Sequence, residues 1–237
     1  ATDSDDGVNA ALRYSLEPSM VQFEINESNG FIYTAVKNLD RELRDRYIFQ
    51  VYAFDTSLSP LTATATVVVN IEDVNDEWPR FENATYIFHV SESADITSVI
   101  GKVRATDLDL GVGGMVEYLF VHNPAHPNPP FTLSKEDGTI TLTQFLDYEV
   151  AKRYNFVVTA VDLGKPPRNS SIDVQIQVLD ENDNDPIIAF PNRDNLSVVL
   201  NLDVSPGQEI IRVIAHDSDS GESGRLTYSI SAQNNST

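Results

Sequence analysis

The sequence predicts an all-β protein built from tandem seven-stranded Greek-key β-sandwiches. Three observations favour this fold class. Short segments alternate apolar and polar residues, turn residues separate those segments, and a set of acidic motifs repeats along the chain. The 237 residues contain no segment with convincing helical periodicity. We therefore expect domains of one kind arranged in series.

The acidic motifs recur at a spacing of 107 residues. The segment IEDVNDEWP (71–79) returns as VLDENDNDP (178–186), LDRE (39–42) as LDYE (146–149), and YAFD (52–55) as TAVD (159–162). A fourth motif appears three times, as ATDSD (1–5), ATDLD (105–109) and AHDSD (215–219). This period exceeds the roughly 20–50 residues of a solenoid unit, so each copy predicts a domain.

The predicted boundaries give one whole domain and two partial ones. Residues 1–79 lack the first strands, residues 80–187 form a complete copy, and residues 188–237 form the N-terminal part of a third. We expect the parent chain to continue in both directions. The complete copy predicts seven antiparallel strands: TYIFHV, SVIGKVRA, VEYLFV, FTLS, TITLTQ, YNFVVTAV and SIDVQIQV.

Alternation in these strands predicts one buried and one solvated face. The inward sets are Ile172, Val174, Ile176 and Val178, then Tyr154, Phe156, Val158 and Ala160, and in the first copy Ala65, Val67, Val69 and Ile71. Turn signals such as KEDG (135–138) and GKPP (164–167) separate the strands. Two layers of such strands bury their apolar faces against each other, as in a sandwich.

Composition excludes several classes of function. The formal net charge is −20, from 36 acidic and 16 basic residues, which disfavours a nucleic-acid partner because phosphate binding needs basic patches. Cysteine is absent, so no disulfide framework or thiolate zinc site exists. No apolar run approaches the roughly 20 residues of a membrane span. The paired carboxylates lie among other acids without a predictable cleft, so we predict no enzyme and no small-molecule substrate.

Asparagine sequons suggest an extracellular setting. An Asn-x-Ser/Thr triplet is the acceptor for N-glycosylation in secreted proteins. The candidate sites are Asn26, Asn83, Asn169, Asn195, Asn234 and Asn235.

The acids gather where strands end, which favours metal binding. The inward positions continue from Val178 to Asp180 and from Ala160 to Asp162. In an extended connector Asn182 and Asp183 point in opposite directions, so it can bind ions on both sides. Oxygen donors without His or Cys favour Ca²⁺. The DLDLG motif is not an EF-hand loop, because its fifth and twelfth positions are Gly111 and Tyr118.

Taken together, LDRE, DxNDN and DxD at this spacing resemble the cadherin extracellular repeat over the whole chain. The resemblance implies an immunoglobulin-like sandwich and up to three Ca²⁺ ions that stiffen each complete linker. The implied function is calcium-dependent cell–cell adhesion, with a cadherin ectodomain on the same or the opposing cell as homophilic or heterophilic partner. The alternative is a spacer in a long signalling or tethering cadherin. Either way we expect an extracellular segment of a single-pass plasma-membrane protein.

The resemblance also implies ligand sets. For the first linker they are Asp40, Glu42, Asp73, Asn75, Asp76, Asp107, Asp109 and Asp162, with carbonyls of Val74, Glu77 and Gly113. For the second they are Glu92, Asp147, Glu149, Asp180, Asn182, Asp183, Asp217 and Asp219, with carbonyls of Glu181, Asn184 and Ser223. A joint upstream would use Asp3, Asp5, Asp55 and the Asn9 carbonyl.

Three positions depart from the family pattern or invite another interpretation. Glu77 stands where the family has Asn, but that position offers a carbonyl, so we expect little effect. The third copy has Leu202 where the second has Glu92, with Asp203 beside it, so we predict that a joint beyond residue 237 binds fewer ions. Trp78 follows a connector inside the chain, and we expect it to pack at the joint.

Overall fold

The structure is a computed structural model that describes residues 1–4, 11–18, 20–121, 128–192 and 197–231. These residues form strands and no α-helix. The chain divides into two compact units. The first comprises Ala1–Trp78, Asp107–Met115 and Leu163–Arg168, and the second comprises Pro79–Thr106, Val116–Asp162 and Asn169–Thr237. Two loops of the predicted second copy thus belong to the first unit.

The first unit contains five strands in its described part. They are β1 (Leu12–Leu16), β2 (Phe23–Ile25), β3 (Ile32–Thr34), β4 (Arg46–Asp55) and β5 (Thr62–Asn70). Strands β1, β4 and β5 form an antiparallel sheet, and β2 pairs with β3. Phe23 packs on Tyr47 and Phe49, with ring centroids 5.3 Å away in each case.

One predicted inward residue of this unit is exposed. Val67, Val69 and Ile71 pack against the buried aromatic residues, but Ala65 does not. Among the described strands, β5 is at the edge of its sheet, and the apolar core covers only its C-terminal half. The prediction that Ala65 is buried was therefore wrong, because alternation indicates a face but not how far the core extends along it.

The described residues of the second unit form eleven strands. They are β6 (Arg80–Phe81), β7 (Tyr86–Ser91), β8 (Val99–Lys102), β9 (Ala105–Thr106), β10 (Val116–Val121), β11 (Phe131–Leu133), β12 (Thr139–Leu142), β13 (Arg153–Asp162), β14 (Asn169–Leu179), β15 (Ile187–Phe190) and β16 (Ile214–His216). A four-stranded sheet has the order β10-β13-β14-β7 and a three-stranded sheet the order β11-β12-β8. All seven predicted strands of the middle copy are present, but the predicted strand SVIGKVRA is divided: β8 ends at Lys102, and Ala105–Thr106 pairs with β6 as β9.

The core lies between these two sheets. Val158, Ile172 and Ile176 of the larger sheet are buried in one cluster with Ile140 and Leu142 of the smaller sheet. The predicted alternation in β14 is confirmed, since Ile172, Val174, Ile176 and Val178 are all buried while Asp173 is exposed. Such burial of apolar surface is the main stabilising contribution to a sandwich.

One pairing differs from the prediction of a fully antiparallel domain. Strand β7 runs parallel to β14, with Tyr86 opposite Val174 and Ser91 opposite Leu179. The first and last strands of the copy therefore terminate at the same end of the sheet. As a consequence Glu92 and Asp180, the residues that follow these strands, emerge side by side.

Candidate metal centres

The first acidic cluster consists of Glu42, Asp73, Asp76, Asp107 and Asp109, all in the first compact unit. Glu42 comes from the turn after β3, Asp73 and Asp76 from the segment after β5, and the other two from the Asp107–Met115 loop. One carboxylate oxygen from each of Glu42, Asp76 and Asp109 lies within 4.8 Å of the others. Three separate segments thus converge on one small volume.

Hydrogen bonds hold the first acidic cluster in shape. The Leu110 amide donates to Asp73 Oδ2 over 3.0 Å, and the Asp109 amide donates to Asp107 Oδ1 over 2.9 Å. The Glu77 amide donates to Asp109 Oδ2 over 3.3 Å. The other oxygen of Asp107, Oδ2, is buried and has no hydrogen-bond partner among the described residues.

The second acidic cluster consists of Glu92, Glu149, Asp180, Asp183 and Asp219, all in the second unit. It contains two triads of carboxylates whose oxygens lie within 4.8 Å of one another: Glu92 with Glu149 and Asp183, and Glu149 with Asp180 and Asp219. Glu149 belongs to both triads. The two groups can therefore hold two neighbouring cations that share one carboxylate.

Backbone amides fix the second cluster in the same manner as the first. Glu92 is 6% exposed and accepts from the Glu181 amide over 2.8 Å and the Tyr148 amide over 2.6 Å. The Ser220 amide donates to Asp180 Oδ2 over 3.1 Å. Asp180 Oδ1 is buried without a hydrogen-bond partner among the described residues.

Loss of solvent, and then repulsion between neighbouring carboxylates, raises the pKa values of several acids in the two clusters. Burial, with Asp107 and Asp73 as additional causes, raises the pKa of Asp109. Loss of solvent raises the pKa of Glu149, and Glu92, Asp183 and Asp180 raise it further. The pKa of Asp183 is raised in the same way, first by desolvation and then by Glu92 and Asp219. A bound cation would relieve this repulsion.

Both clusters fit a hard divalent cation. The donors that the structure brings together are carboxylate oxygens, which are ligands that Ca²⁺ takes in flexible geometry. The buried oxygens Asp107 Oδ2 and Asp180 Oδ1 are otherwise without a partner in the described structure. A buried polar atom of this kind calls for a ligand, because leaving it unsatisfied costs about 1–3 kcal/mol.

Other predicted ligands lie in different settings. Asp40 and Asp147 are exposed and accept from the amides of Leu43 and Val150, so each shapes the turn in which it lies. Asp217 accepts from the Asp219 amide. Asp162 is buried at the end of β13 and belongs to the second unit. The residues predicted to offer backbone carbonyls differ in burial: Gly113 is buried, Glu77, Asn184 and Ser223 are half-buried, and Val74 and Glu181 are exposed. Asn182, predicted to bind through its side chain, is also exposed.

The upstream set and the sequons are partly described. Asp55 is 4% exposed and accepts from the Ser57 and Leu61 amides. A hydrogen bond from the Ser57 side chain is the main cause of its lowered pKa, and the two amides lower the pKa further. Asp3 is exposed, while Asp5 and Asn9 lie outside the described residues. Asn26, Asn83 and Asn169 are exposed, whereas Asn195, Asn234 and Asn235 lie outside the described residues.

Asn75 forms hydrogen bonds with the loop Leu163–Arg168, a contact that the sequence did not predict. Its Nδ2 donates to the Pro166 carbonyl over 2.8 Å, and its own carbonyl accepts from Arg168 Nε over 2.9 Å. The Arg168 guanidinium lies 5.1 Å from the Trp78 ring centroid. A Cβ on Gly113 or Gly164 would meet Asn75 Oδ1 at 2.5 or 2.0 Å. The sequence feature that could have indicated this contact is the pair of glycines, Gly113 and Gly164, in the two loops next to Asn75.

We expect Gly164→Ala to displace the Asn75 side chain. The added methyl group takes the space of the amide, so the hydrogen bond to Pro166 is lost at a cost of about 1 kcal/mol. Trp78 is the one tryptophan of the chain, so its fluorescence and the NMR signal of the Asn75 side-chain amide report the change locally. Unaltered signals from both would show that the amide is not held between the two glycines.

Comparison with known proteins adds relatives over nearly the whole chain. The Cadherin domain family model matches residues 1–72 and 86–179. The chain is 36% identical to Protocadherin-11 X-linked of Pongo pygmaeus over 231 residues, which are 97% of this chain and 17% of the relative. It is 38% identical to Protocadherin-1 of Homo sapiens over 237 residues, 99% of this chain and 22% of the relative. It thus spans about a fifth of these relatives' length.

A solved structure shows the same architecture. The chain superposes on the structure described as "Protocadherin gammaB7 EC3-6 cis-dimer structure" with a TM-score of 0.85 and 28% identity, covering 94% of this chain and 54% of that one. Within the described residues there is no helix with the length and apolarity that a membrane crossing requires.

Proposed function

This chain belongs to the cadherin family, and from that premise we propose that it is an ectodomain segment for calcium-dependent cell–cell adhesion. Its repeats would be divided near residues 79 and 187, and Ca²⁺, up to three ions per complete linker, would stiffen the segments between them. The parent protein would be anchored in the plasma membrane by a single span, with these repeats outside the cell. Another cadherin ectodomain, on the same or the opposing cell, would be the partner.

The second acidic cluster is the observation that carries this proposal. Its two triads share Glu149, and the buried Asp180 Oδ1 has no hydrogen-bond partner in the described structure. Two carboxylates about 4 Å apart repel by about 4 kcal/mol at an effective dielectric constant of 20. Cations would convert this repulsion into attraction among a strand end, a turn, the connector and the loop that contains Asp219. A connector tied at so many points bends less.

The expected affinity matches an extracellular setting. Calcium sites of extracellular modules bind with dissociation constants of roughly 10⁻⁴ to 10⁻³ M. Such sites would be filled outside cells and largely empty in the cytosol. The chain would then be flexible during synthesis and stiffen after export.

A calcium titration followed by small-angle X-ray scattering tests the proposal. As the ions bind, we expect the distribution of interatomic distances to narrow, and we expect a chelator to reverse the change. Isothermal titration calorimetry on the same samples gives the number of ions. Scattering curves that stay the same while calorimetry shows bound calcium would refute stiffening, and calorimetry without binding heat would refute the calcium sites themselves.

The alternative is a spacer segment of a long signalling or tethering cadherin. In that case ligand binding would lie in other repeats. Beads coated with this segment, extended to whole repeats, separate the two functions. Aggregation in calcium that a chelator abolishes supports adhesion by these repeats, whereas dispersed beads under both conditions support the spacer.

A further inference from the structure

The two acidic clusters differ at one equivalent oxygen atom. Asp73 and Asp180 occupy matching positions, and in each the Oδ2 atom accepts a loop amide, from Leu110 or from Ser220. In the second cluster Asp180 Oδ1 is buried without a partner among the described residues. In the first cluster Asp73 Oδ1 accepts from Arg41 Nε over 2.5 Å. The Arg41 guanidinium thus forms a hydrogen bond with Asp73 Oδ1, whereas the equivalent oxygen of the second cluster, Asp180 Oδ1, remains available for another ligand.

Arg41 also contacts two further groups of the first cluster. Its Nη2 donates to the carboxylate of Glu42 and, over 2.7 Å, to the carbonyl of Leu108. Its side chain is 13% exposed. Arg41 therefore joins the turn after β3, the connector and the Asp107–Met115 loop without the help of a metal ion.

The second cluster has a neutral residue at the matching position. Tyr148 follows Asp147 as Arg41 follows Asp40. Its hydroxyl accepts from Ser220 Oγ over 3.1 Å, and Lys152 Nζ lies 4.5 Å from its ring centroid. Among the residues that the structure describes, no basic side chain forms an ion pair with the second acidic cluster.

We propose that Arg41 is a built-in counter-cation that holds the first acidic cluster together without calcium and raises the calcium concentration at which this cluster fills. The inference rests on the proposed function, since it concerns the affinity of one of the calcium sites. The third residue of the LDRE and LDYE motifs, Arg41 or Tyr148, would then set the calcium concentration at which each linker fills.

Competition follows from the contacts. Calcium can use Asp73 Oδ1 and Glu42 fully only if the guanidinium withdraws. Arginine does not lose its charge at any physiological pH, so it cannot yield by deprotonation. Its charge-assisted hydrogen bonds are about twice as strong as neutral ones, and those to Asp73 and Glu42 must be exchanged for metal–oxygen bonds.

The surface beside Arg41 offers room for this withdrawal. An open cavity of about 440 Å³ lies next to the side chain, lined by Arg41, Glu42, Leu43, Arg44, Asp45 and Leu108. Asp45 is among the lining residues, so an acidic residue lies beside the space into which the guanidinium would move. The two linkers would then stiffen at different calcium concentrations.

The test compares Arg41→Gln with Arg44→Gln by NMR-monitored calcium titration. Arg44 lies in the same turn and carries the same charge, but its Nε donates to the Arg46 carbonyl and its guanidinium lies 4.4 Å from the Tyr47 ring centroid. The amides of Glu77 and Glu181 donate to carboxylates of the first and second clusters, respectively. They therefore report each cluster separately in the intact chain.

We expect Arg41→Gln to lower the calcium midpoint of the Glu77 signal about tenfold, a difference of about 1.4 kcal/mol, and to leave the Glu181 signal unchanged. Arg44→Gln should move both midpoints little. The reverse exchange, Tyr148→Arg, should raise the midpoint of the Glu181 signal and not that of Glu77, so the idea can be judged at either cluster if one variant fails to fold.

Equal midpoints for Arg41→Gln and Arg44→Gln, in a protein whose two amides both respond to calcium, would overturn the role of Arg41 and leave the proposed function standing. If neither amide of the wild-type chain responds to calcium, the proposed function and this inference both fail. A weaker first site in Arg41→Gln would also overturn the inference, since it would show that Arg41 assists calcium instead of competing with it.

Discussion

Replacing Glu149 with glutamine is expected to weaken calcium binding at two positions of the second linker at once, by on the order of 100-fold each. Calcium affinity depends on the charge of the ligands, and even residues that only support a ligand change metal affinity about 10- to 100-fold. Glu149 is the one residue common to both triads of the second acidic cluster. Asp183→Asn should affect mainly the triad that it forms with Glu92. Isothermal titration calorimetry distinguishes these results by the number of ions lost.

The matched control is Asp173→Asn. Asp173 is an exposed carboxylate on β14 outside the cluster, so its replacement removes the same charge at a distance. Calcium binding should then remain close to that of the wild-type chain. If Glu149→Gln and Asp183→Asn remove the same number of ions, the carboxylate of Glu149 is not shared, and the arrangement of two neighbouring cations is wrong.

Removing calcium is expected to lower the free energy of unfolding of the domains that adjoin the linkers. Each ion that binds the folded chain and not the unfolded one adds about 2.7 kcal/mol when its free concentration is 100 times the dissociation constant. The loss after chelation should be large, because the carboxylates then repel one another without a counter-ion. Differential scanning calorimetry with and without a chelator measures the shift in the unfolding midpoint.

Magnesium at equal ionic strength provides the control for screening. Mg²⁺ requires a stricter octahedral geometry and retains its waters, so it should restore much less stability than Ca²⁺. Equal midpoints with both ions would show that general screening accounts for the effect. Midpoints that do not respond to chelation would contradict a stabilising role for bound calcium.

Local patterns were sufficient for the strands and for the identity of the acidic motifs. The alternation of Ile172, Val174, Ile176 and Val178 indicates a buried face because side chains of a strand point to opposite sides in turn. Recurrence of the motifs at 107 residues indicates the repeat and the candidate ligands. Both signals come from neighbouring residues or from copies of one pattern, so no knowledge of the folded chain is needed.

The contacts of individual side chains could not be predicted in this way. Asp40 and Glu42 belong to one motif, but in the structure the Asp40 side chain accepts a hydrogen bond from the Leu43 amide, whereas Glu42 belongs to the first acidic cluster. Arg41 was present in the LDRE motif, but its contact with Asp73 joins residues 32 positions apart. Similarly, Asn75 meets a loop 91 positions away.

The amino-acid sequence by itself determined the sandwich fold, the repeat and the chemistry of the linkers, because periodicity and charge are properties of short segments. Only the tertiary structure decided which oxygens meet. The parallel pairing of β7 with β14 brings Glu92 beside Asp180, and the surrounding loops add Glu149, Asp183 and Asp219. Distances of a few ångströms between oxygens depend on strand register and loop packing across the whole domain, and these set which carboxylates can share an ion.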